Sequence, residues 1–451
     1  MVSLKTKLSY GLGALGKDYA CAIVYIFLMY YFTDVLGLAP AFVGTLFLVA
    51  RMWDAINDPA MGMIVDNTRS KWGKFRPWIL IGTLLNAITV VGMFTKPEAF
   101  SGKSLYIYIS IMYILWGMTY TVMDIPFWSM IPALSDDKKE REEIAVVPRI
   151  FASLAWLSLG SLGLPLIAFL GKGNEGRGFS LLSLGIAGVF ILTTLLMVTN
   201  VKEQIKTKKN SEKINLKEAF RLILKNDQLV ALIGTVLMYN LMAQISGGVA
   251  IYYFKYVIGV ETLFSVFTGF SGLAEIGSLM MFPILSRKLG RKKVFFLACA
   301  LPVVGFLMLF LFGNIAPTNG TLIALAGIVA KLGGGLTLGI STVMLADVVD
   351  YGEFKFGSRN ESVIFSVQTL LVKSASAVSG WLIGMGLSLV GYVPNVAQSG
   401  SAIMGIKYLM IVFPILLSIF GYVIYKKYYR LNGEYYDEIV EAIKVKREVE
   451  A

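Results

Sequence analysis

The sequence predicts an all-α membrane protein with twelve transmembrane helices in two six-helix bundles. Of its 451 residues, 56% are hydrophobic and only 16% are charged, whereas soluble domains carry about a quarter charged residues. Apolar runs at 78–95, 179–199 and 294–312 are about 20 residues long, which matches a hydrocarbon core of ~30 Å at about 1.5 Å per helical residue. Both observations indicate that lipid is the main solvent of the chain.

Long apolar windows place the individual helices. The first six are predicted at 8–36, 41–63, 78–95, 105–134, 144–171 and 179–200. The last six are predicted at 228–258, 263–285, 294–315, 321–346, 363–393 and 403–425. This division predicts an N-terminal bundle over 1–200, a cytoplasmic linker over 201–227, a C-terminal bundle over 228–425 and a cytoplasmic tail over 426–451. The lysine-rich linker has enough helical periodicity to suggest an amphipathic helix on the membrane surface.

The basic residues predict how the chain is oriented. Most lysines and arginines outside the apolar windows lie in even-numbered loops, as Arg69, Lys71 and Lys74 do after the second helix. Loops with this excess remain in the cytoplasm. We therefore expect a multi-pass protein of the cell inner (plasma) membrane with both termini cytoplasmic. A similar basic turn follows the eighth helix, which indicates two related halves, although any cytoplasmic loop tends to be basic.

Composition also argues against several classes of function. The chain contains no histidine, so any proton chemistry would have to use carboxylates or lysine. The sequence has no phosphate-binding loop and no nucleophile elbow, and its net charge of +12 is spread over short loops rather than over one nucleic-acid-binding face. Cys21 and Cys299 both lie in apolar runs and do not predict a disulfide. We expect no enzymatic activity, no bound cofactor and no obligate protein partner.

The most informative residues are ionisable groups inside the predicted spans. Each costs several kcal/mol at the bilayer centre unless it faces a partner or water. They are Lys17, Asp18, Arg51, Asp54, Asp58, Asp124, Arg149 and Lys373. Nearly all lie in the first half, which predicts a functional site there, although the carboxylates could instead form structural ion pairs that lock helices together. Glu275 and Lys331 also lie within spans, but no cluster surrounds them and no role is assigned to them.

Two of these carboxylates lie one helical turn apart on the second predicted helix. Asp54 and Asp58 share one face, and Asn57 adds an amide oxygen on the same side. Neighbouring carboxylates repel, which favours either one proton or one cation between them, and hard cations prefer oxygen ligands. The pattern predicts a cation site.

The fourth predicted helix carries a different polar stripe. Tyr120, Thr121, Asp124 and Trp128 follow at spacings that place them along one face. A carboxylate accepts hydrogen bonds from hydroxyl groups, and an indole ring stacks on the apolar face of a pyranose. The stripe therefore predicts sugar binding.

The segments around these residues resemble one transporter family. They lie at 13–18, 49–59, 72–80, 113–129 and 346–353 and read GALGKD, VARMWDAINDP, WGKFRPWIL, YILWGMTYTVMDIPFWS and ADVVDYGE. These motifs are similar to those of the glycoside–pentoside–hexuronide:cation symporters within the major facilitator superfamily. The resemblance runs over nearly the whole chain and weakens in the linker and the tail. It implies the major facilitator fold.

The resemblance also implies roles for individual residues. The cation, which is Na⁺, Li⁺ or H⁺, is expected at Asp54, Asn57, Asp58 and Thr121. The sugar is expected at Lys17, Asp18, Asp124, Trp128, Arg149, Gln368, Thr369 and Lys373. The implied function is cation-coupled symport of a galactoside such as melibiose by alternating access. The one departure is Leu338, which stands where the family has a sugar-facing tryptophan.

Three alternatives to this function remain open at the level of sequence. A symporter of the same family could take a pentoside, a β-galactoside or a glucuronide, since Lys373 or Arg149 could bind a substrate carboxylate. A membrane-embedded enzyme acting on lipid or glycan would need catalytic motifs that the sequence lacks. A non-transporting sensor usually carries an added signalling domain, and few residues follow the last predicted span.

Overall fold

In a computed structural model the chain is described at residues 2–135, 138–203, 225–357 and 361–450, and within these ranges its regular structure is entirely helical. Contacts between helices divide the chain into two compact units. The N-terminal unit comprises Met1–Asn210 and Leu387–Ala397, and the C-terminal unit comprises Ser211–Gly386 and Gln398–Ala451. Most of the predicted linker, including its suggested amphipathic helix, lies outside the described residues.

Within the described residues the N-terminal unit is built from seven α-helices, the first of which continues as a π-helical segment over Tyr31–Val35. They are α1 Leu4–Tyr30, α2 Pro40–Asn67, α3 Arg76–Met93, α4 Lys103–Ser129, α5 Ile131–Leu134, α6 Lys138–Gly171 and α7 Glu175–Asn200. Helix α1 packs against α6 and α7, while α4 packs against α2 and α3. Ser3 and Asn174 are the N-caps of α1 and α7. Each side chain accepts a hydrogen bond from a backbone N–H of the first turn.

The fourth predicted helix differs from the structure at its end. The sequence predicts one helix over 105–134, but α4 ends at Ser129 and a separate turn, α5, begins at Ile131. Proline has no backbone N–H, so Pro132 cannot continue the helical hydrogen-bond ladder. The N–H of Met130 bonds instead to the carbonyl of Phe127 at 3.3 Å, which tightens the last turn.

Close contact between α3 and α4 determines which face of α4 is presented to α1 and α2. A Cβ added at Gly82 would lie 2.6 Å from the backbone nitrogen of Met123, so this approach requires glycine. One turn further along α3, the buried amide of Asn86 donates to the Thr119 hydroxyl and to the Trp116 carbonyl, each at 3.0 Å. These contacts fix the rotation of the helix that carries Thr121 and Asp124.

The other α-helices lie in the C-terminal unit, apart from the last residues of Glu361–Leu389, together with π-helical segments at Tyr253–Ile258 and Tyr408–Val412. These α-helices are α8 Asp227–Tyr252, α9 Leu263–Leu289, α10 Arg291–Ile315, α11 Gly320–Phe356, α12 Glu361–Leu389, α13 Gly400–Lys407, α14 Phe413–Tyr428 and α15 Glu434–Glu450. Helix α11 packs against both α9 and α10. It extends well beyond its predicted limits of 321–346. The predicted tail contains α15, which packs against α11.

Within the described residues, eleven segments are long and apolar enough to cross a membrane. Helix α2 is not among them, because Arg51, Asp54 and Asp58 reduce its apolar character, although its 28 residues are long enough to span. The helix that carries the predicted cation site therefore contains, among its described residues, no apolar window of the kind found in the other long helices of the N-terminal unit.

Candidate functional site

A buried lysine lies between two carboxylates in the N-terminal unit. Lys17 of α1 is only 3% exposed. Its Nζ donates a hydrogen bond of 2.8 Å to Asp124 Oδ1 on α4 and lies 3.4 Å from Asp18 Oδ2. It also donates to the Tyr120 hydroxyl at 3.2 Å. A buried charge is tolerated only when it is paired and hydrogen-bonded, and this lysine is both.

Three aromatic rings of α4 surround the ammonium group of Lys17. It lies 5.5 Å from the ring centre of Tyr120, 5.4 Å from that of Phe127 and 5.2 Å from that of Trp128. At these distances each ring attracts the cation. The indole N–H of Trp128 also donates to Asp124 Oδ1 at 3.2 Å, so the ring and the carboxylate of the predicted sugar stripe hold each other in place.

Asp18 has a partner that the sequence did not reveal. The indole N–H of Trp156 on α6 donates to Asp18 Oδ1 at 3.1 Å. Among the described residues, no group donates a hydrogen bond to Asp18 Oδ2, which is buried and has only the longer ionic contact with Lys17. Buried carboxylate oxygens are nearly always hydrogen-bonded, so this oxygen is a ready acceptor for a hydroxyl group.

The predicted cation residues form a second polar group on α2 and α4. Arg51 donates to Asp54 Oδ2 at 2.7 Å, and its guanidinium lies 5.4 Å from the ring centre of Trp116. Thr121 Oγ1 donates to Asp58 Oδ1 at 2.9 Å. The structure thus pairs Asp54 with an arginine of its own helix and joins Asp58 to the helix that carries the sugar stripe.

The second group offers side-chain oxygens that could hold a cation. The described residues contain no cluster of three or more histidine, cysteine or acidic side chains that could hold a metal ion. Carboxylate oxygens of Asp54 and Asp58 with the neutral oxygen of Thr121 supply hard, oxygen-only ligands. Asn57 is half-buried, and its amide nitrogen has no hydrogen-bond partner among the described residues.

The remaining predicted sugar residues lie on α6 and α12, and Leu338 lies on α11. Arg149 is exposed on α6, two turns before Trp156 and on the same side of that helix. Lys373 is half-buried on α12, and Leu338 of α11 is 42% exposed. The side chains of Gln368 and Thr369 lie outside the described residues.

A separate polar cluster in the C-terminal unit joins the first residue of α10, the last third of α11 and α15. Arg291 pairs with Asp347 at 2.7 Å, and the Tyr436 hydroxyl of α15 donates to Asp350 at 2.8 Å. Burial, with Asp347 nearby, raises the pKa of the Tyr436 hydroxyl well above its ordinary value. That hydroxyl stays protonated and donates at every physiological pH, so it ties α15 to α11.

The ion pair between Lys17 and Asp124 links two membrane-spanning helices, and aromatic rings surround its ammonium group. Ionisable residues buried within spans in this way are typical of membrane transporters. The chain belongs to the MFS/sugar transport protein family, whose sequence profile matches residues 9–433. Membership of a sugar-transporting family of the major facilitator superfamily is thereby confirmed, as is the expectation that the chain is not an enzyme.

Several curated proteins are similar to this chain over most of their length. An isoprimeverose transporter of Lactiplantibacillus pentosus is 32% identical over 90% of this chain and 85% of that protein. The putative glycoside/cation symporter YagG of Escherichia coli (strain K12) is 31% identical over 98% of this chain and 94% of that protein. A raffinose carrier protein of Pediococcus pentosaceus is 28% identical over 96% of this chain and 70% of that protein.

Solved structures of major facilitator transporters share the fold. A D-xylose-proton symporter superposes with a TM-score of 0.67 at 14% identity, over 93% of this chain and 97% of that one. A bacterial homologue of the iron transporter ferroportin superposes with a TM-score of 0.65 at 15% identity, over 95% of this chain and 99% of that one. At such low identity the likeness shows the fold alone. It confirms the predicted all-α major facilitator architecture.

Proposed function

We propose that this protein is a secondary active transporter that couples the symport of a glycoside to a monovalent cation by alternating access. The observation that carries the proposal is Lys17, buried between Asp18 and Asp124 and surrounded by the rings of α4. This group combines hydrogen-bond donors, acceptors and an indole face, which are the features that recognise a pyranose. The similarity to an isoprimeverose transporter, a raffinose carrier protein and the putative glycoside/cation symporter YagG supports the same class.

In this proposal the sugar hydroxyls take up the hydrogen-bonding capacity that the site leaves open. Asp18 Oδ2 accepts from one hydroxyl group, and the half-exposed Asp124 carboxylate accepts from another. Lys17 offsets one of the two negative charges of these carboxylates, which reduces the cost of keeping them buried. Trp128 is half-buried rather than enclosed, so its ring face can stack on the substrate. Arg149, Gln368, Thr369 and Lys373 remain candidate contacts.

The cation, Na⁺, Li⁺ or H⁺, binds in this proposal at Asp54, Asp58, Thr121 and Asn57. Thr121 and Asp124 lie one turn apart on α4, so a cation held beside Thr121 and a sugar held at Asp124 act on the same rigid helix. Each ligand then changes the affinity for the other by the same factor, as linkage requires. A shared helix is thus the physical basis that we propose for coupling.

We further propose that the transported glycoside is a galactoside such as melibiose. The sequence resembles the melibiose carrier in the motifs that surround Asp18, Asp54 and Asp124, but Leu338 offers no aromatic face. A pentoside, a β-galactoside or a glucuronide is therefore the alternative substrate within the same family. We place the protein in the plasma membrane with both termini in the cytoplasm, as the basic loops indicate.

Uptake into proteoliposomes tests the proposal. The panel comprises radiolabelled melibiose, raffinose, lactose, isoprimeverose and a phenyl glucuronide, each with an inward gradient of Na⁺, Li⁺ or H⁺ and without one. We expect at least one glycoside to accumulate only when a cation gradient is present, and an ionophore to abolish that accumulation. The matched control is Asp124→Asn in the same liposomes. Gradient-independent equilibration of every sugar would contradict symport, and no uptake of any sugar would contradict glycoside transport.

A further inference from the structure

An ion pair in the C-terminal unit belongs to neither of the sites described above. Lys331 Nζ of α11 lies 3.1 Å from Glu275 Oε2 of α9. The two side chains are 33% and 25% exposed, respectively. Protein therefore covers most of each side chain, and the rest of each side chain is accessible from outside the packed helices.

The depth of this pair in the membrane makes its exposure informative. Glu275 lies about 18 Å along α9 from its first residue, and Lys331 lies about 17 Å along α11 from its own, at about 1.5 Å per residue. Both residues also lie near the middle of the apolar windows 263–285 and 321–346, and hence near the middle of a hydrocarbon layer ~30 Å thick. Charged groups at this depth that faced lipid would cost several kcal/mol, so the open side of the pair faces a water-filled path.

A third polar group converges on the same point from α8. The Tyr239 hydroxyl donates to the carbonyl of Gly334 at 3.3 Å. A Cβ added at Gly334 would lie 3.2 Å from the Tyr239 hydroxyl and 3.2 Å from Glu275 Oε1. The missing side chain of Gly334, one turn after Lys331, lets both oxygens approach α11. Three helices thus bring a carboxylate, an ammonium group and a hydroxyl together.

Small residues pack α9 and α11 closely together beside the pair. Immediately beside it, a Cβ added at Gly335 would lie 2.1 Å from the carbonyl oxygen of Glu275, so the backbones of α9 and α11 are already in close contact. One turn further on, Gly339 packs against the Phe282 ring in the same way. Small residues that permit this approach contribute to the association of membrane helices by themselves.

We propose that Glu275, Lys331 and Tyr239 form a polyol-binding subsite of the C-terminal unit that hydrogen-bonds the hydroxyl groups of the transported solute. Lys331 uses one of its three N–H donors on Glu275 and has two left, while the carboxylate can accept several hydrogen bonds. Two neighbouring hydroxyl groups match this arrangement, because one donates to Glu275 and the other accepts from Lys331. The inference rests on the proposed function, since it takes the solute to be a glycoside.

Equilibrium binding to the purified, detergent-solubilised protein tests this subsite. The probes are melibiose, raffinose and lactose, and the variants are Glu275→Gln, Lys331→Met and the exchanged pair Glu275→Lys with Lys331→Glu. Each single variant should weaken the binding of the best probe about tenfold, the size expected for one hydrogen bond to a charged group. The exchanged pair keeps an ion pair between α9 and α11 and therefore tests whether the residues only hold these helices together. The affinity for Na⁺ should stay unchanged in all three.

A control variant and the unfolding temperatures of the variants distinguish the possible outcomes. Lys407→Met removes another partly exposed lysine of the same unit, one that donates to Asn314 at 3.1 Å, and should leave probe affinity unchanged. If the single variants keep full probe affinity but unfold at lower temperature, and the exchanged pair recovers that temperature, the pair only locks helices and the subsite is wrong. If the wild-type protein binds none of the three probes and accumulates no glycoside, the proposed function itself fails, and the subsite fails with it.

Discussion

The hydroxyl group of Thr121 donates a hydrogen bond of 2.9 Å to the carboxylate of Asp58. This contact joins α2, which carries the predicted cation residues, to α4, which carries the predicted sugar residues. One turn along α4, Asp124 accepts the hydrogen bond of Lys17. A change of charge or position at Asp58 is therefore transmitted to the helix that carries the predicted sugar residues.

Asp58→Asn should separate cation coupling from sugar binding. The amide keeps the shape and an acceptor oxygen for Thr121 but removes one negative charge. In a site of low effective dielectric, a bound Na⁺ would lose several kcal/mol of attraction. We expect Na⁺ affinity and Na⁺-driven accumulation to collapse, while sugar exchange down a gradient persists, because Asp18, Asp124 and Trp128 are unchanged. Concentrative uptake and equilibrium exchange are measured in the same vesicles.

The outcomes of this comparison distinguish the parts of the proposal. Loss of exchange together with accumulation would rule out two separate sites. Retained Na⁺-driven accumulation would rule out Asp58 as a cation ligand. The matched control is Asp66→Asn on the same helix, which removes an acidic group that the sequence gives no role in binding and should leave both activities in place.

Trp128→Ala should weaken sugar binding while cation binding survives. The indole stacks on the substrate in the proposed complex and also donates to Asp124. Loss of an aromatic platform costs about 1–3 kcal/mol per stacked ring by analogy with other ring-binding sites. Binding isotherms for the transported sugar and for Na⁺ check both parts. Equal sugar affinity in the variant and the wild type would mean that the ring does not contact the substrate.

Much of the architecture could be predicted because the bilayer imposes simple rules. The length of the apolar segments predicts the approximate positions of the helices, because a helix that crosses the bilayer needs about 20 residues at about 1.5 Å per residue. Charge inside a span identified Lys17, Asp18 and Asp124, and the structure brings these three together. Their cost in lipid makes such residues conspicuous in any sequence.

Other parts of the site could not be predicted from the same rules. Trp156 looks like an ordinary apolar residue of a span, and only the structure shows its indole N–H directed at Asp18. Glu275 and Lys331 lie 56 residues apart in the sequence, so the pattern within either helix gives no sign that they pair. Contacts between helices depend on rotation and tilt, which a sequence pattern does not specify.

Leu338→Trp should increase the affinity for melibiose. Leu338 is 42% exposed on α11, so a larger ring can be accommodated at that position without displacing the packed core. An added aromatic face contributes about 0.5–1.5 kcal/mol beyond the area that it buries. Competition of melibiose against the best radiolabelled substrate measures the gain, with Leu338→Met as the size-matched control. If tryptophan and methionine give the same affinity, this position does not face an α-galactoside.

Trp156→Phe should weaken sugar binding by removing a single hydrogen bond. Phenylalanine keeps most of the ring, but Asp18 Oδ1 loses its indole donor, and a hydrogen bond to a charged group contributes about 1.5–3 kcal/mol. The carboxylate of Asp18 should then lose its fixed orientation, which raises the Kd for the sugar and leaves the affinity for Na⁺ unchanged. Trp116→Phe is the matched control, since the Trp116 indole nitrogen has no hydrogen-bond partner among the described residues. Equal loss of sugar affinity in both variants would show that ring size, rather than the bond to Asp18, matters at these positions.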